Sequence, residues 1–163
     1  MIDQQTLFVK MALDAWNIQI DRTNKLIDSL SDEELQREVA PGRNSGSYLV
    51  GHLAAVHDAL FTLLGFGEKL DPELYDIFVK NPDKSGLEKP STKELRNFWN
   101  DVNRKLADQF NQLTVDEWFE KHTAVTDSDF EKEPHRNKLN VLLNRTCHLA
   151  NHLGQLTFLK KKS

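Results

Sequence analysis

Apolar residues recur along this chain at helical spacing in four long stretches. Val9, Leu13, Trp16, Ile20 and Ile27 share one helical face with no Gly or Pro among them, and predict a first long helix over residues 3–29. Leu49, Leu53, Val56 and Leu60, with Leu63 or Leu64, give the stripe of a second helix over 47–64, stopped by Gly65-Phe66-Gly67. Leu95, Phe98, Trp99, Val102, Leu106 and Phe110 mark a third, opened by the capping box Ser91-Thr92-Lys93-Glu94. Leu142, Leu149, Leu153 and Leu156 lie on a fourth, over 138–159. Strand-like alternation and hairpin-turn signals are missing throughout.

The segments between these helices carry their own punctuation. Ser31-Asp32-Glu33-Glu34 and Thr114-Val115-Asp116-Glu117 are capping boxes that predict short helical turns, and 41–46 reads as a loop. Residues 68–90 hold Pro72, Pro82, Gly86 and Pro90, which predicts a long connection with one helical turn around 72–78, while 123–137 reads as a polar, irregular stretch. The order long helix, short capped turn, loop, His-Leu-Ala helix occurs twice. The expected fold is therefore an all-α four-helix bundle built from two similar hairpins, a single domain over 1–163.

Composition narrows the function classes. At 163 residues the chain is long enough to bury a core without a structural metal, and its net charge of −4 gives no broad basic surface for nucleic acid. Lys160-Lys161-Lys162 reads as a solubilising cap on the last helix. No run approaches the roughly 18 apolar residues of a membrane span, no export signal opens the chain, and the single Cys147 has no disulfide partner, so a cytoplasmic protein is expected.

Candidate chemistry lies in the histidines. His148 and His152, four residues apart, stand on one face of the fourth helix at the margin of its apolar stripe, with Asn144, Arg145 and Gln155 on the same margin. His52 and His57 flank the stripe of the second helix from opposite sides, and periodicity does not choose between them. The repeat does: Gly51-His52-Leu53-Ala54 matches Cys147-His148-Leu149-Ala150. His52, His148 and His152 are thus the expected ligands of one divalent metal ion with positions left open for water or substrate. His57 is expected at the surface or behind the ligands, and His122 and His135 in a solvated loop. Cys147 is expected to be a small buried side chain, Asp14 and Asp58 to belong to solvated helix faces, and Trp16, Phe98 and Trp99 to packing. No phosphate-cradling glycine loop, nucleophile elbow or dinucleotide fingerprint occurs.

Leu30-Ser31-Asp32-Glu33-Glu34-Leu35, Pro41-Gly42-Arg43-Asn44-Ser45, Gly51-His52-Leu53 and above all His148-Leu149-Ala150-Asn151-His152-Leu153-Gly154-Gln155 together resemble the DinB-like family of four-helix-bundle metalloproteins, also called the damage-inducible or YfiT-like group. That resemblance maps a helix-2 histidine onto His52 and a His-xxx-His-x-Gly-Gln phrase onto His148, His152, Gly154 and Gln155. It implies an up-down-down-up bundle with a long crossover between helices 2 and 3, frequent homodimers, and metal-dependent enzymes that use low-molecular-weight thiols as S-transferases or isomerases. Zinc or nickel is the expected ion. Gln155 and Asn144, each about one turn from a ligand, are the expected orienting groups in catalysis. Three function classes follow, with distinct signatures: a thiol transferase should show a pocket at the metal with a polar or cationic rim, a hydrolase a carboxylate base near the metal, and a non-catalytic ligand-binding stress module a site sealed by packing.

Overall fold

The computed structural model describes residues 3–160, so Lys161 and Lys162 of the expected cationic cap lie outside the described residues. Four long helices carry the fold: α1 (Gln4–Ser29), α3 (Gly46–Leu63), α5 (Thr92–Phe110) and α8 (Lys138–Leu156). Short helices α2 (Asp32–Gln36), α4 (Pro72–Tyr75), α6 (Val115–Trp118) and α7 (Asp127–Lys132) sit between them, with a π-turn at Asp76–Lys80 and a 3-10 turn at Thr157–Leu159. Among the described residues there are no strands, only two isolated antiparallel bridges, Glu38 with Ser45 and Lys121 with Asn137. These close equivalent loops in the two halves of the chain.

All three capping boxes form, at Ser31, Ser91 and Thr114, each satisfying backbone N–H groups at a helix start. Two features depart from the sequence pattern. The polar stretch 123–137 contains α7, capped by Thr126 with Asp127 and Asp129 in its first turn; it buries no residue, so no apolar period marks it. The fourth helix gives way at Leu156 to the tighter 3-10 turn, where the Thr157 hydroxyl donates to the Gly154 carbonyl.

Helix α1 packs chiefly on α8, α3 packs on α5, and α3 also meets α8. Trp16, Trp99, Leu53, Leu106, Leu142 and Leu149 fill the space between them, all buried. Helix α3 is buried on nearly every side, which explains its apolar character around the whole circumference. The connection over 64–91 straps across it. The buried carboxylate of Asp58 accepts from the Leu70 and Asp71 N–H groups at 2.7 and 3.0 Å, and the Tyr48 hydroxyl donates to the Asn81 carbonyl. Asp83, paired with Lys89, accepts the Ser45 N–H at the start of α3. Asp58 thus corrects the expectation of a solvated acid: it holds the strap to the helix.

Candidate metal centre

The placement of His52 begins at its neighbour. A Cβ on Gly51 would lie 2.5–2.7 Å from ring atoms of Phe78, a wholly buried side chain of the π-turn. Glycine therefore lets the strap lie against α3, and this brings the Phe78 carbonyl within 2.8 Å of His52 Nδ1. A carbonyl only accepts, so Nδ1 carries the hydrogen and Nε2 presents a bare lone pair. On α8, His152 Nδ1 lies 2.7 Å from Gln155 Oε1, which fixes the same tautomer and leaves its Nε2 bare as well.

The free nitrogens converge. His52 Nε2 and His152 Nε2 each lie 3.2 Å from His148 Nε2, and one ligand atom from each of the three residues falls within 4.8 Å of the others. Three nitrogens at 2.0–2.1 Å from one ion with tetrahedral angles stand about 3.3 Å apart. Hydrogen bonding alone does not account for this cluster, because at most one of the close nitrogens can be shared by a single His148 proton while the others remain lone pairs facing each other. The donor set fits a divalent cation, with three neutral nitrogens on one side and the cleft on the other. Burial favours the neutral ring at two of the three: it pushes His148 down to about 4, with the charges of His152, His52 and Arg145 adding to the effect, and it lowers His52 against the opposing pull of the Phe78 carbonyl.

A cleft of about 550 Å³ opens at His152, lined by Val39, Ala40, Arg43, Asn44, Gln155 and Phe158 among others. One wall is the loop after α2, tied to the end of α8 by the Arg37 guanidinium, which donates to the Leu159 carbonyl.

The family model of the DinB superfamily matches residues 15–156. The chain belongs to the DinB superfamily. No curated protein matches it. The match spans both helical hairpins of this DinB chain and all three converging histidines, which together can hold a metal ion of unspecified identity.

The other sequence candidates fall as follows. Gln155 lies at the centre, bonded to His152 and facing the cleft. Asn144 is exposed and donates to the Asn140 carbonyl one turn back. Cys147 is exposed, not buried as expected, because the 100° step from His148 carries it away from the core. His57 is wholly buried rather than superficial. It packs between Trp16 and Trp99, with ring centroids 4.8 and 5.1 Å away, and its Nδ1 donates to Asn103 Oδ1 at 2.7 Å. His135 is exposed, and His122 is partly buried in the loop before α7. Sequence reasoning missed the Phe78 carbonyl, which no side-chain pattern can reveal. It also gave no role to Arg145, a partly buried guanidinium that makes no hydrogen bond or ion pair with the described residues, its Nε shielded from water.

Burial pushes the His57 imidazole down to about 3 from an ordinary 6.5. The unfolded chain therefore takes up a proton below pH 6.5 that the folded ring refuses until about pH 3, so the folded state loses stability as pH falls through that window. We expect the urea midpoint of His57→Gln to decline less steeply than that of the wild type between pH 7 and pH 4. Parallel pH profiles would contradict this.

Proposed function

We propose that this chain is a metal-dependent enzyme of the thiol S-transferase kind, with His52, His148 and His152 as ligands of zinc or nickel. The observation that carries the metal reading is the meeting of three imidazole nitrogens, two of them on rings whose tautomers are set by Phe78 and Gln155. The up-down-down-up course of the bundle is part of this reading, supported by the pairing of α1 with α8 and α3 with α5 and by the long strap between α3 and α5.

A divalent ion in this donor set supplies Lewis acidity that brings the deprotonation of a bound thiol or water toward neutral pH. The chain supplies the rest. Gln155 keeps the His152 ring turned to the centre, and the cleft walls hold the electrophile beside it. The cosubstrate thiol gives its proton to solvent, its sulfur forms a bond to an electrophilic carbon, and the leaving group departs with the electron pair of the broken bond. A hydrolase is less well supported because no carboxylate among the described residues lines the cleft. A sealed binding module is disfavoured by the cleft itself, which leaves His152 open to small molecules.

The test is a screen of glutathione, coenzyme A, bacillithiol and mycothiol against a reactive aromatic electrophile, using metal-loaded protein. At least one thiol should react faster with loaded than with stripped protein, and Cys147→Ala should keep that rate within about twofold, since an exposed thiol outside the cleft takes no part. No metal-dependent acceleration with any thiol would overturn the transferase reading.

The proposal extends to a homodimer. Leu7, Met11 and Ile18 form an exposed apolar stripe on α1 with Phe8 beside it, and a second copy is the simplest cover for such a face. Sedimentation should give a mass near twice 18.8 kDa at micromolar concentration, falling toward the monomer in a Met11→Glu variant. A wild-type mass of 18.8 kDa would refute it.

A further inference from the structure

The charges around the three histidines have one sign. Among the described residues Arg43 is the one charged side chain lining the cleft, and its guanidinium makes no ion pair or hydrogen bond with them. Arg145, one turn before His148, does not line the cleft but is close enough for its charge to act on His52, His57 and His148, and it too lacks a counter-ion among the described residues. The nearest acid on the cleft loop, Glu38, is engaged by Lys84 and the Gly42 N–H. In a chain whose net charge is −4, this is a cationic hollow, and a divalent ion would deepen it. Arg145 is partly buried without a partner, which is costly to maintain, and a concave wall of one sign, here carrying the exposed Arg43, concentrates ligands of the opposite sign. Phe158, 76% exposed at the rim, offers an apolar face between the charged ends.

From this we infer that the cleft selects a small organic anion, one end of which reaches the centre at His152 while a carboxylate or comparable oxyanion is held by Arg43. The cleft volume of about 550 Å³ suits a molecule of that size. Arginine matches such a group because its planar fork donates two parallel hydrogen bonds to two oxygens. Asn44, on the same wall, offers an amide donor to the same oxyanion. Arg145 contributes through its field and not by contact, adding attraction without setting the position of the tail. The inference rests on the metal reading above, but it concerns recognition rather than the reaction.

Cobalt(II) serves as the probe ion because its visible spectrum reports ligand binding without turnover. Succinic, glutaric and adipic monohydroxamates, each paired with its own primary amide, present the same metal-binding head with a charged or a neutral tail. In the cobalt protein at low salt, at least one acid should bind about fivefold more tightly than its amide, and the preference should shrink as salt is raised. Arg43→Gln should bring that ratio to about one while leaving cobalt uptake and amide affinity unchanged, and Arg43→Lys should keep part of the preference. Equal binding of acids and amides to the wild type, or a preference that survives Arg43→Gln, would overturn the inference while the metal reading stands. Failure of cobalt to develop a histidine-bound spectrum would remove the metal reading, and this inference with it.

Discussion

Replacing His148 with alanine should weaken binding of a divalent ion by more than about 100-fold while leaving the helices intact. Losing a group that merely orients a ligand already costs about 10–100-fold, and His148 is the middle nitrogen, 3.2 Å from both of its neighbours. Its ring is partly buried at the edge of the core, and the apolar residues that hold α8 in place, Leu142, Leu149 and Leu156, are untouched by the change. Competition with a chromophoric chelator would measure the affinity and far-ultraviolet circular dichroism the fold. Stripping the wild type of metal should likewise leave the helical signal in place, since the core between the four long helices contains none of the three ligands. Undiminished affinity in His148→Ala would displace the ligand set, and loss of helix on chelation would make the centre structural. His122→Ala, in the loop before α7, is the matched control and should bind as the wild type does.

The second large effect is expected at Gly51, which bonds to no ligand. Alanine there places a methyl group 2.5 Å from the Phe78 ring, and the ring has no exposed side toward which to retreat. Overpacking of this kind costs about 1–3 kcal/mol, against roughly 1 kcal/mol that alanine gains over glycine within a helix. A net loss of up to about 2 kcal/mol in urea unfolding is therefore expected. Metal affinity should fall too, by about 10-fold, as the displaced strap carries its carbonyl away from His52 Nδ1. The double variant Gly51→Ala/Phe78→Leu, with a smaller side chain in the same slot, should recover part of both losses. If metal affinity holds in Gly51→Ala while stability falls, the strap does not position His52.

Much of this arrangement was legible in the letters of the chain. The four apolar stripes gave the long helices to within a few residues, because amphipathic faces must be buried somewhere. The capping boxes gave the short turns, because the groups involved are three residues apart and need no tertiary partner. The His-Leu-Ala repeat selected His52 over His57, a choice that periodicity alone left open. What escaped was long-range or carried by the backbone. His57 and Asp58 looked like flank residues because a helix wheel knows only its own helix; that α3 is enclosed on nearly all sides depends on the strap and on α5. Cys147 was misplaced for the opposite reason: free cysteine is usually a buried residue type, while here it stands on an exposed position of α8. Helix α7 went unseen because, with no buried face, it leaves no period to read.

The two orienting contacts differ in how they would fare under substitution. His152 is turned by the side chain of Gln155, so that position tolerates almost no replacement without loss of the acceptor. His52 is turned by a peptide carbonyl, which every amino acid at position 78 would carry. Within a lineage, residue 78 is free to drift among side chains that fit against Gly51, whereas Gln155 is held by its own chemistry. A survey of invariant positions would thus find one support of this centre and pass over the other, although each fixes the tautomer of one histidine.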